Sequence, residues 1–246
     1  MRKLLGFLLL VSFGACLLAQ GPSFPGPGMP ASTAAPPSIA ILAGANGHAY
    51  CGGDSTCTTS AIDTTGATLI VITSVVFSTN TLVVSDSKLN TIQHLSPRGA
   101  TNKATTTIHY IYGPTVGSGH TFTCAATLGY PVCMVSVYSG TLTTSGVFDV
   151  ENGGETDVVN SQASGSITPS ASGELIVSGW GSNGANSAAL AVDSSLAILD
   201  TQTSTSYELG AHAYLVDSNV NPINATWSVM GTVEDMAVAI AAFKHP

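Results

Sequence analysis

The stretch GATLIVITSVVF, residues 66–77, decides the fold. It is a nearly unbroken apolar run, rich in β-branched residues and lacking the spacing of three and four that marks an amphipathic helix. Such a run predicts a strand that is buried on both faces. Residues 105–112, TTTIHYIY, instead alternate polar and apolar side chains, as a half-buried strand does. Further segments fit the strand pattern at residues 82–84, 121–123, 134–138, 175–177 and 237–240.

The same series of strand-like segments occurs twice along the chain. Residues 66–140 and 173–244 carry similar segments in the same order, offset by about 105 residues. Clusters of turn-forming residues separate the strands. The sequence therefore predicts an all-β protein: a two-sheet antiparallel β-sandwich, jelly-roll-like, with two pseudo-repeated halves. The expected turns lie at residues 117–119, 151–154 and 181–184.

The N-terminal region predicts export. Arg2 and Lys3 precede the apolar run 4–13, and Ala19 offers a small residue for cleavage, so residues 1–19 have the layout of a signal peptide. An alternative interpretation treats Cys16 as the lipid-bearing residue of a lipoprotein. Residues 20–38 form a Pro/Gly-rich leader that we expect to be disordered, and residues 39–246 form the β-sandwich domain.

Composition limits the partners. Charged residues make up 8% of the chain and its formal net charge is -8. Without a cluster of Lys and Arg to neutralise phosphates, nucleic acid and anionic membrane surfaces are not expected partners. No other apolar run is long enough to predict a transmembrane helix.

Four cysteines remain once Cys16 is set aside, and an even number in an exported chain predicts disulfides. Of the three connectivities, we expect the local one, Cys51–Cys57 with Cys124–Cys133, because it needs no long-range assumption. Zinc is a weaker interpretation, since neither pair has the two-residue ligand spacing of a zinc knuckle.

Several motifs resemble those of a group of exported bacterial all-β surface domains, β-sandwich or jelly-roll-like, of unassigned activity. They are Val84-Ser85-Asp86-Ser87 followed by Asn90-Thr91, Tyr138-Ser139-Gly140, and the closing Ala241-Ala242-Phe243-Lys244. The likeness covers about residues 39–246. It implies a sandwich fold, an extracellular location, and adhesion or glycan binding. Lys88-Leu89 departs from the group, which has small residues there, and the cysteine pairs are additions.

The best binding motif surrounds Trp180. We expect its flanking glycines to leave the ring uncovered, so that it stacks on a sugar face while Asn183 and Asn186 read hydroxyls. Tyr50 is a second candidate, as an exposed loop aromatic. The alternative is that Trp180 packs in the core, the role we assign to Trp227 and Phe122.

Metal binding has one weak candidate. Asp149, Glu151 and Asp157, with Asn152 and Glu155, crowd one polar segment that offers oxygen ligands to calcium. The alternative is a solvated surface loop. Asp86 and Asp193 occupy matching places in the two halves, beside serines, and predict tight turns.

Catalysis has little support in the sequence. No Gly-x-Ser-x-Gly elbow is present, and His109 and His212 lie in predicted strands where packing or a hydrogen bond is expected. The sequence therefore favours a secreted or cell-surface, non-enzymatic, ligand-binding (glycan-binding) or adhesion protein without a cofactor. A structural subunit of a surface layer, filament or appendage is the first alternative, and a secreted hydrolase is the second.

Overall fold

The structure is a computed structural model that describes residues 38–78, 82–99, 101–157, 159–183, 189–202, 208–230 and 235–246. The predicted signal peptide, Cys16 and nearly all of the leader lie outside these residues. All of the described residues belong to one structural unit.

Strands make up almost all of the regular structure, as predicted. The described part of the chain contains no α-helix, and so no helix long and apolar enough to cross a membrane. A single 3-10 turn, Ser145–Val147, precedes β11. The strands are β1 Ala40–Ile41, β2 Gly47–Tyr50, β3 Thr56–Thr58, β4 Leu69–Phe77, β5 Leu82–Asp86, β6 Gln93–His94, β7 Arg98–Gly99, β8 Ala104–Tyr112, β9 Phe122–Ala126, β10 Val132–Ser139, β11 Phe148–Asp157, β12 Ser161–Ala163, β13 Glu174–Asn183, β14 Ala189–Val192, β15 Ala197–Gln202, β16 Glu208–Asp217, β17 Thr226–Met230 and β18 Asp235–Phe243.

Within the described ranges, the strands pair into four antiparallel sheets, where the sequence predicted two. The seven-stranded sheet has the order β1-β10-β4-β8-β6, with β2 on β10 and β7 on β8. The five-stranded sheet has the order β11-β18-β13-β16-β15. Two three-stranded sheets, β3-β9-β5 and β12-β17-β14, complete the fold.

The same neighbour relations occur in the two large sheets. Strand β4 lies between β10 and β8, and β13 lies between β18 and β16. The strand after each, β5 or β14, joins a three-stranded sheet, where it pairs with β9 or β17. This alternation of successive strands between sheets is jelly-roll-like. The internal repeat itself stays a prediction.

The side chains of β4 explain its unbroken apolar run. Leu69 and Val71 pack into a cluster shared with β13 and β18, between the two large sheets. Ile70 and Ile72, on the other face, pack against β5 and β9. Both faces of β4 are therefore buried, as predicted. A third cluster lies between the five-stranded sheet and the β12-β17-β14 sheet, so the sheets stack in four layers.

Glycines let the two large sheets approach closely. A Cβ atom on Gly210 would lie 2.8 Å from Met134 Cε, and one on Gly179 would collide with Thr73 across the interface. Gly181 likewise faces Val75. A larger side chain at Gly179 or Gly181 would push the sheets apart, whereas at Gly210 the flexible end of Met134 is the nearest group and moves more easily.

Two disulfides join Cys51 to Cys57 and Cys124 to Cys133, so the predicted local pairing is confirmed. Cys124 lies on β9 and Cys133 on β10, while Cys51 follows β2 and Cys57 lies on β3. Each bond therefore ties the seven-stranded sheet to the three-stranded sheet beside it.

Candidate functional site

A cleft of about 370 Å³ opens where the two large sheets meet. Small-ligand pockets have volumes of about 300 to 1,000 Å³, so the cleft suits a small ligand. Both large sheets contribute to its wall. Its lining, among the described residues, comprises Phe77 at the end of β4, Gly129 and Tyr130 just before β10, Asn183 at the end of β13, and Glu208 at the start of β16.

The Tyr130 loop is held at both of its ends. Strands β9 and β10 flank it, and the Cys124–Cys133 disulfide joins those strands. The carbonyl oxygen of Pro131 accepts the backbone N–H of Cys51 at 3.4 Å. Gly129 has a φ of 101°, a left-handed conformation that allows the chain to turn just before Tyr130. The loop therefore presents the aromatic ring from a stapled base.

Glu208 places a buried carboxyl in the cleft wall. Its exposed fraction is 2%, and its Oε2 atom has no hydrogen-bond partner among the described residues. Burial raises the pKa of Glu208, and the negative charge of Asp235 adds to this effect. A buried polar atom without a partner is costly, so a ligand hydroxyl or amine that reached it would satisfy it.

Asp235 fixes the backbone behind the cleft. Its Oδ1 accepts the backbone N–H of Asn183 at 3.0 Å, and its Oδ2 accepts the backbone N–H of Ala104. Burial raises the pKa of this carboxyl, although the two N–H groups oppose the change. Asp235 thereby connects β18 to both β13 and β8, one strand in each large sheet.

The predicted binding residues separate in the structure. Asn183 lines the cleft, and Asn186 lies outside the described residues. Tyr50 is not an exposed loop aromatic: it ends β2, is half-buried, and packs against a cluster that includes Val132 and Met134. It pairs with Val132, next to the Tyr130 loop, but it is not part of the described lining.

The expectation that the Trp180 ring is uncovered is wrong. Trp180 is fully buried and stacks on Trp227, with ring centroids 6.5 Å apart. Its neighbours Gly179 and Gly181 face the opposite side of β13, where they admit the other large sheet. Successive residues of a strand point to opposite faces, so these glycines cannot expose the ring between them. The core positions predicted for Trp227 and Phe122 are confirmed.

The proposed calcium segment is a strand. Asp149, Glu151 and Asp157 are spread along β11, together with Asn152 and Glu155. Each of the three carboxylates has a different partner: Asp149 binds Lys244, Glu151 binds Ser96, and Asp157 binds Lys103. Within the described ranges, no group of three or more His, Cys, Asp or Glu side chains is arranged to hold a metal ion.

Asp86 and Asp193 form turns, as predicted. The carbonyl of Asp193 accepts the N–H of Leu196 at 3.3 Å, and Asp86 Oδ1 accepts the N–H of Asn90 at 2.9 Å. Asp86 also contacts His120 Nε2 at 2.9 Å, and His120 Nδ1 lies 3.0 Å from Thr64 Oγ1. This carboxylate–imidazole–hydroxyl chain has the order of a catalytic triad. However, the side chains of Asp86 and His120 are fully buried, so a substrate cannot reach them.

The two strand histidines are buried and hydrogen-bonded, as expected. His212 lies between the large sheets, 2.7 Å from Thr73 Oγ1 and 2.8 Å from Ser136 Oγ. His109 lies 2.7 Å from both Ser74 Oγ and His94 Nδ1. Burial lowers the pKa of His109 and that of His212 to about 3. Both rings are therefore neutral at physiological pH and serve as packed core groups.

Sequence reasoning missed four of the five cleft residues: Gly129 and the three with large side chains, Phe77, Tyr130 and Glu208. A signal existed for Tyr130, because an aromatic residue in a short loop between paired cysteines is held in place. A weaker signal existed for Glu208, a carboxyl at the entry to a strand whose other residues are mostly apolar. Phe77 had none, because it ends an apolar run whose other members are all core.

No protein-family model matches the chain, and neither a curated protein nor a solved structure shows significant similarity to it.

Proposed function

We propose that the protein is a secreted or cell-surface, non-enzymatic glycan-binding β-sandwich whose ligand occupies the cleft between the two large sheets. The observation that carries the proposal is the lining of the cleft: two aromatic side chains, an amide and a carboxyl around about 370 Å³. Sugars are bound by aromatic rings that stack on their apolar faces and by polar groups that read their hydroxyls.

The chemistry of each wall supports this ligand class. Phe77 and Tyr130 supply rings from the seven-stranded sheet side. Asn183 and Glu208 supply hydrogen-bonding groups from the five-stranded sheet. The raised pKa of Glu208 favours its protonated form, which both donates and accepts hydrogen bonds. An uncharged, hydroxyl-rich ligand fits this lining better than an anion.

The location outside the cytoplasm is part of the same proposal. Two disulfides in one chain are typical of oxidising compartments. The apolar run behind Arg2 and Lys3 and the resemblance to exported bacterial surface domains point the same way.

The proposal is tested by glycan-array screening of the intact protein, followed by calorimetry with the best glycan. Tyr130→Ala removes a stacking ring, so we expect it to weaken binding about tenfold or more. Asn183→Ala should also weaken binding, because it removes an amide from the opposite wall.

Matched controls lie close by. Leu128→Ala changes a 70% exposed side chain of the same loop, and Asn160→Ala changes an exposed amide elsewhere. Both variants should bind like the unmodified protein. The proposal fails if no glycan binds, an outcome that would favour an assembly role, or if Tyr130→Ala and Asn183→Ala both keep full affinity.

A further inference from the structure

A second cluster of reactive groups lies at the other end of β13 from the cleft. Lys244 directly follows β18, and its Nζ atom lies 2.9 Å from Asp149 Oδ1 on β11. Strands β11 and β18 are paired neighbours, with Phe148 opposite Phe243. An amine and a carboxyl are therefore held in contact between the first strand of the five-stranded sheet and the last strand of the chain.

A buried carboxyl adjoins this pair. Glu174, the first residue of β13, is fully buried. Its Oε1 accepts hydrogen bonds from Ser170 Oγ at 3.0 Å and from the N–H of Ala171 at 2.9 Å. Its Oε2 is buried and receives no hydrogen bond from a donor group in the described part of the chain.

Glu174 and Asp149 interact through a shared proton. Two carboxylates cannot hydrogen-bond to each other unless one of them is protonated. Burial raises the pKa of Glu174, and the nearby charge of Asp149 raises it further, so Glu174 is the partner that holds the proton.

Burial opposes ionisation of Asp149, but its hydrogen bonds to Lys244 and Ser170 outweigh burial and lower its pKa, so it rests as a carboxylate and needs the proton of Glu174 before it can react. Asp149 Oδ2 accepts the backbone N–H of Ser170 at 2.7 Å, while Oδ1 faces the amine. A backbone N–H in that position stabilises the negative charge that develops on a carboxyl oxygen under attack. The ion pair already holds the amine 2.9 Å from Oδ1, which reduces the entropic cost of bringing the amine and the carboxyl together.

We propose that Lys244 and Asp149 join in an intramolecular amide bond, with Glu174 as the proton-transfer group. The neutral Lys244 amine attacks Cγ of Asp149, and the N–H of Ser170 holds Oδ2 as the tetrahedral intermediate forms. Glu174 gives its proton to Oδ1, which leaves as water together with one of the two protons of the neutral amine, while the other stays on the amide nitrogen. Glu174 is restored by the proton that the Lys244 ammonium released when it became the neutral amine. The sum is amine plus carboxylic acid giving amide plus water, with no other reactant.

The reaction occurs once in each molecule. The hydrogen bond to Asp149 raises the pKa of Lys244, so the charged ion pair is the resting form and the neutral amine is the minor one. A single maturation step tolerates a small reactive fraction, whereas a turning-over enzyme would not. The product links β11, the edge strand of the five-stranded sheet, covalently to Lys244, which follows the neighbouring strand β18.

Intact mass spectrometry of the purified, matured protein tests the inference. The expected mass is lighter than the disulfide-bonded chain by one water molecule. Digestion should then give a branched peptide in which Asp149 is joined to Lys244, and its fragmentation places the bond. An unmodified mass after prolonged incubation of the folded protein overturns the proposal.

Two variants separate the amide from other routes to water loss. Lys244→Arg keeps the charge but removes the nucleophile, so the water loss should disappear; persistence would mean a cyclic imide elsewhere and would overturn the proposal. Glu174→Gln keeps the size of the side chain, and we expect bond formation to slow at least tenfold. An unchanged rate would remove Glu174 from the mechanism. Glycan binding at the distant cleft is a separate readout, so each proposal can fail alone.

Discussion

Glu208 destabilises the fold by its burial, yet the same burial suits it to the binding role we propose for it. Its carboxyl is buried, and one of its oxygens has no partner among the described residues. A group of this kind destabilises a fold when it is ionised, yet it is ready to bind a ligand. Asn183 and Tyr130, by contrast, line the same cleft while remaining partly exposed.

We predict that Glu208→Gln raises the free energy of unfolding at pH 7 by about 1 kcal/mol or more, because the buried acid resists the ionisation that the unfolded chain allows at this pH, and Gln removes that penalty. The folded pKa is raised, so the stability contributed by protonated Glu208 is present below its unfolded pKa and is lost as pH rises through the folded value. The gain should therefore shrink at pH 4.

Urea unfolding at the two pH values measures this difference, with Glu155→Gln as a control at an exposed carboxyl. A loss of stability of equal size at both pH values would contradict a raised pKa for Glu208.

Trp180 and Asn183 show what single residues of the sequence can and cannot predict. Both were identified as binding residues from the same short motif, yet Asn183 lines the cleft and Trp180 lies in the core. The sequence identifies a strand end with unusual glycines. It does not reveal that Gly179 and Gly181 make room for another sheet, because that requires knowing what packs against β13.

At the scale of elements, the turn between β14 and β15 has unusual chemistry. Ser194 and Ser195 have φ values of 58° and 62°, and the N–H of Leu196 bonds to the carbonyl of Asp193 at 3.3 Å. Two central residues with positive φ are typical of a type I′ turn, which favours Asn and Gly. Serine pays a steric cost in this conformation that glycine does not.

We predict that Ser195→Gly raises the free energy of unfolding by about 0.5 to 1 kcal/mol, because the left-handed conformation no longer strains a side chain. Ser194 is left unchanged, since its Oγ bonds to Asp193 and Asn224. Thermal and urea unfolding measure the effect.

The control is Ser228→Gly, an exposed serine within β17, which should lower stability because glycine weakens a strand interior. If both substitutions destabilise the protein equally, the turn does not hold Ser195 in the left-handed conformation.

Strands were easier to predict than the segments between them. The run at residues 66–77 and the alternating segment at 105–112 correctly predicted the strands β4 and β8. The expectation that the alternating segment is half-buried is wrong: both faces of β8 are buried, and its polar residues Thr106 and His109 find hydrogen-bond partners inside the protein.

The expected turn at 151–154 is instead the middle of β11. Gly153 and Gly154 lie directly under the side chains of Arg98 and Gln162, which leave no room for a Cβ atom. In the sequence, a glycine pair required by this tertiary contact looks the same as a glycine pair that marks a turn.

For the whole molecule, pH acts through buried histidines. His109 and His212 are nearly or fully buried, and burial lowers the pKa of each to about 3. Both rings are neutral in the folded state, whereas unfolded histidines titrate near about 6.5. The stability that they contribute is therefore present above about pH 6.5 and is lost as pH falls toward the folded value.

We predict that the urea midpoint falls as pH is lowered from 7 to 4, and that NMR signals of both rings keep neutral positions until the protein unfolds. The buried acids Glu174, Glu208 and Asp235 act in the opposite direction, since their pKa values are raised, so the ring signals are the decisive measurement. In urea, the same rings should titrate near about 6.5. Titration of either ring between pH 5 and 7 in the folded protein would contradict the prediction.

The contact between the two large sheets also governs the order of events as the polypeptide is made. The sheet built from residues 40–139 carries apolar side chains on both faces, and one of those faces is covered only by strands that are synthesised later. During synthesis, the N-terminal half would expose this apolar face until β13 and β18 had been made. It would therefore depend on chaperones or on rapid completion of the chain to avoid aggregation.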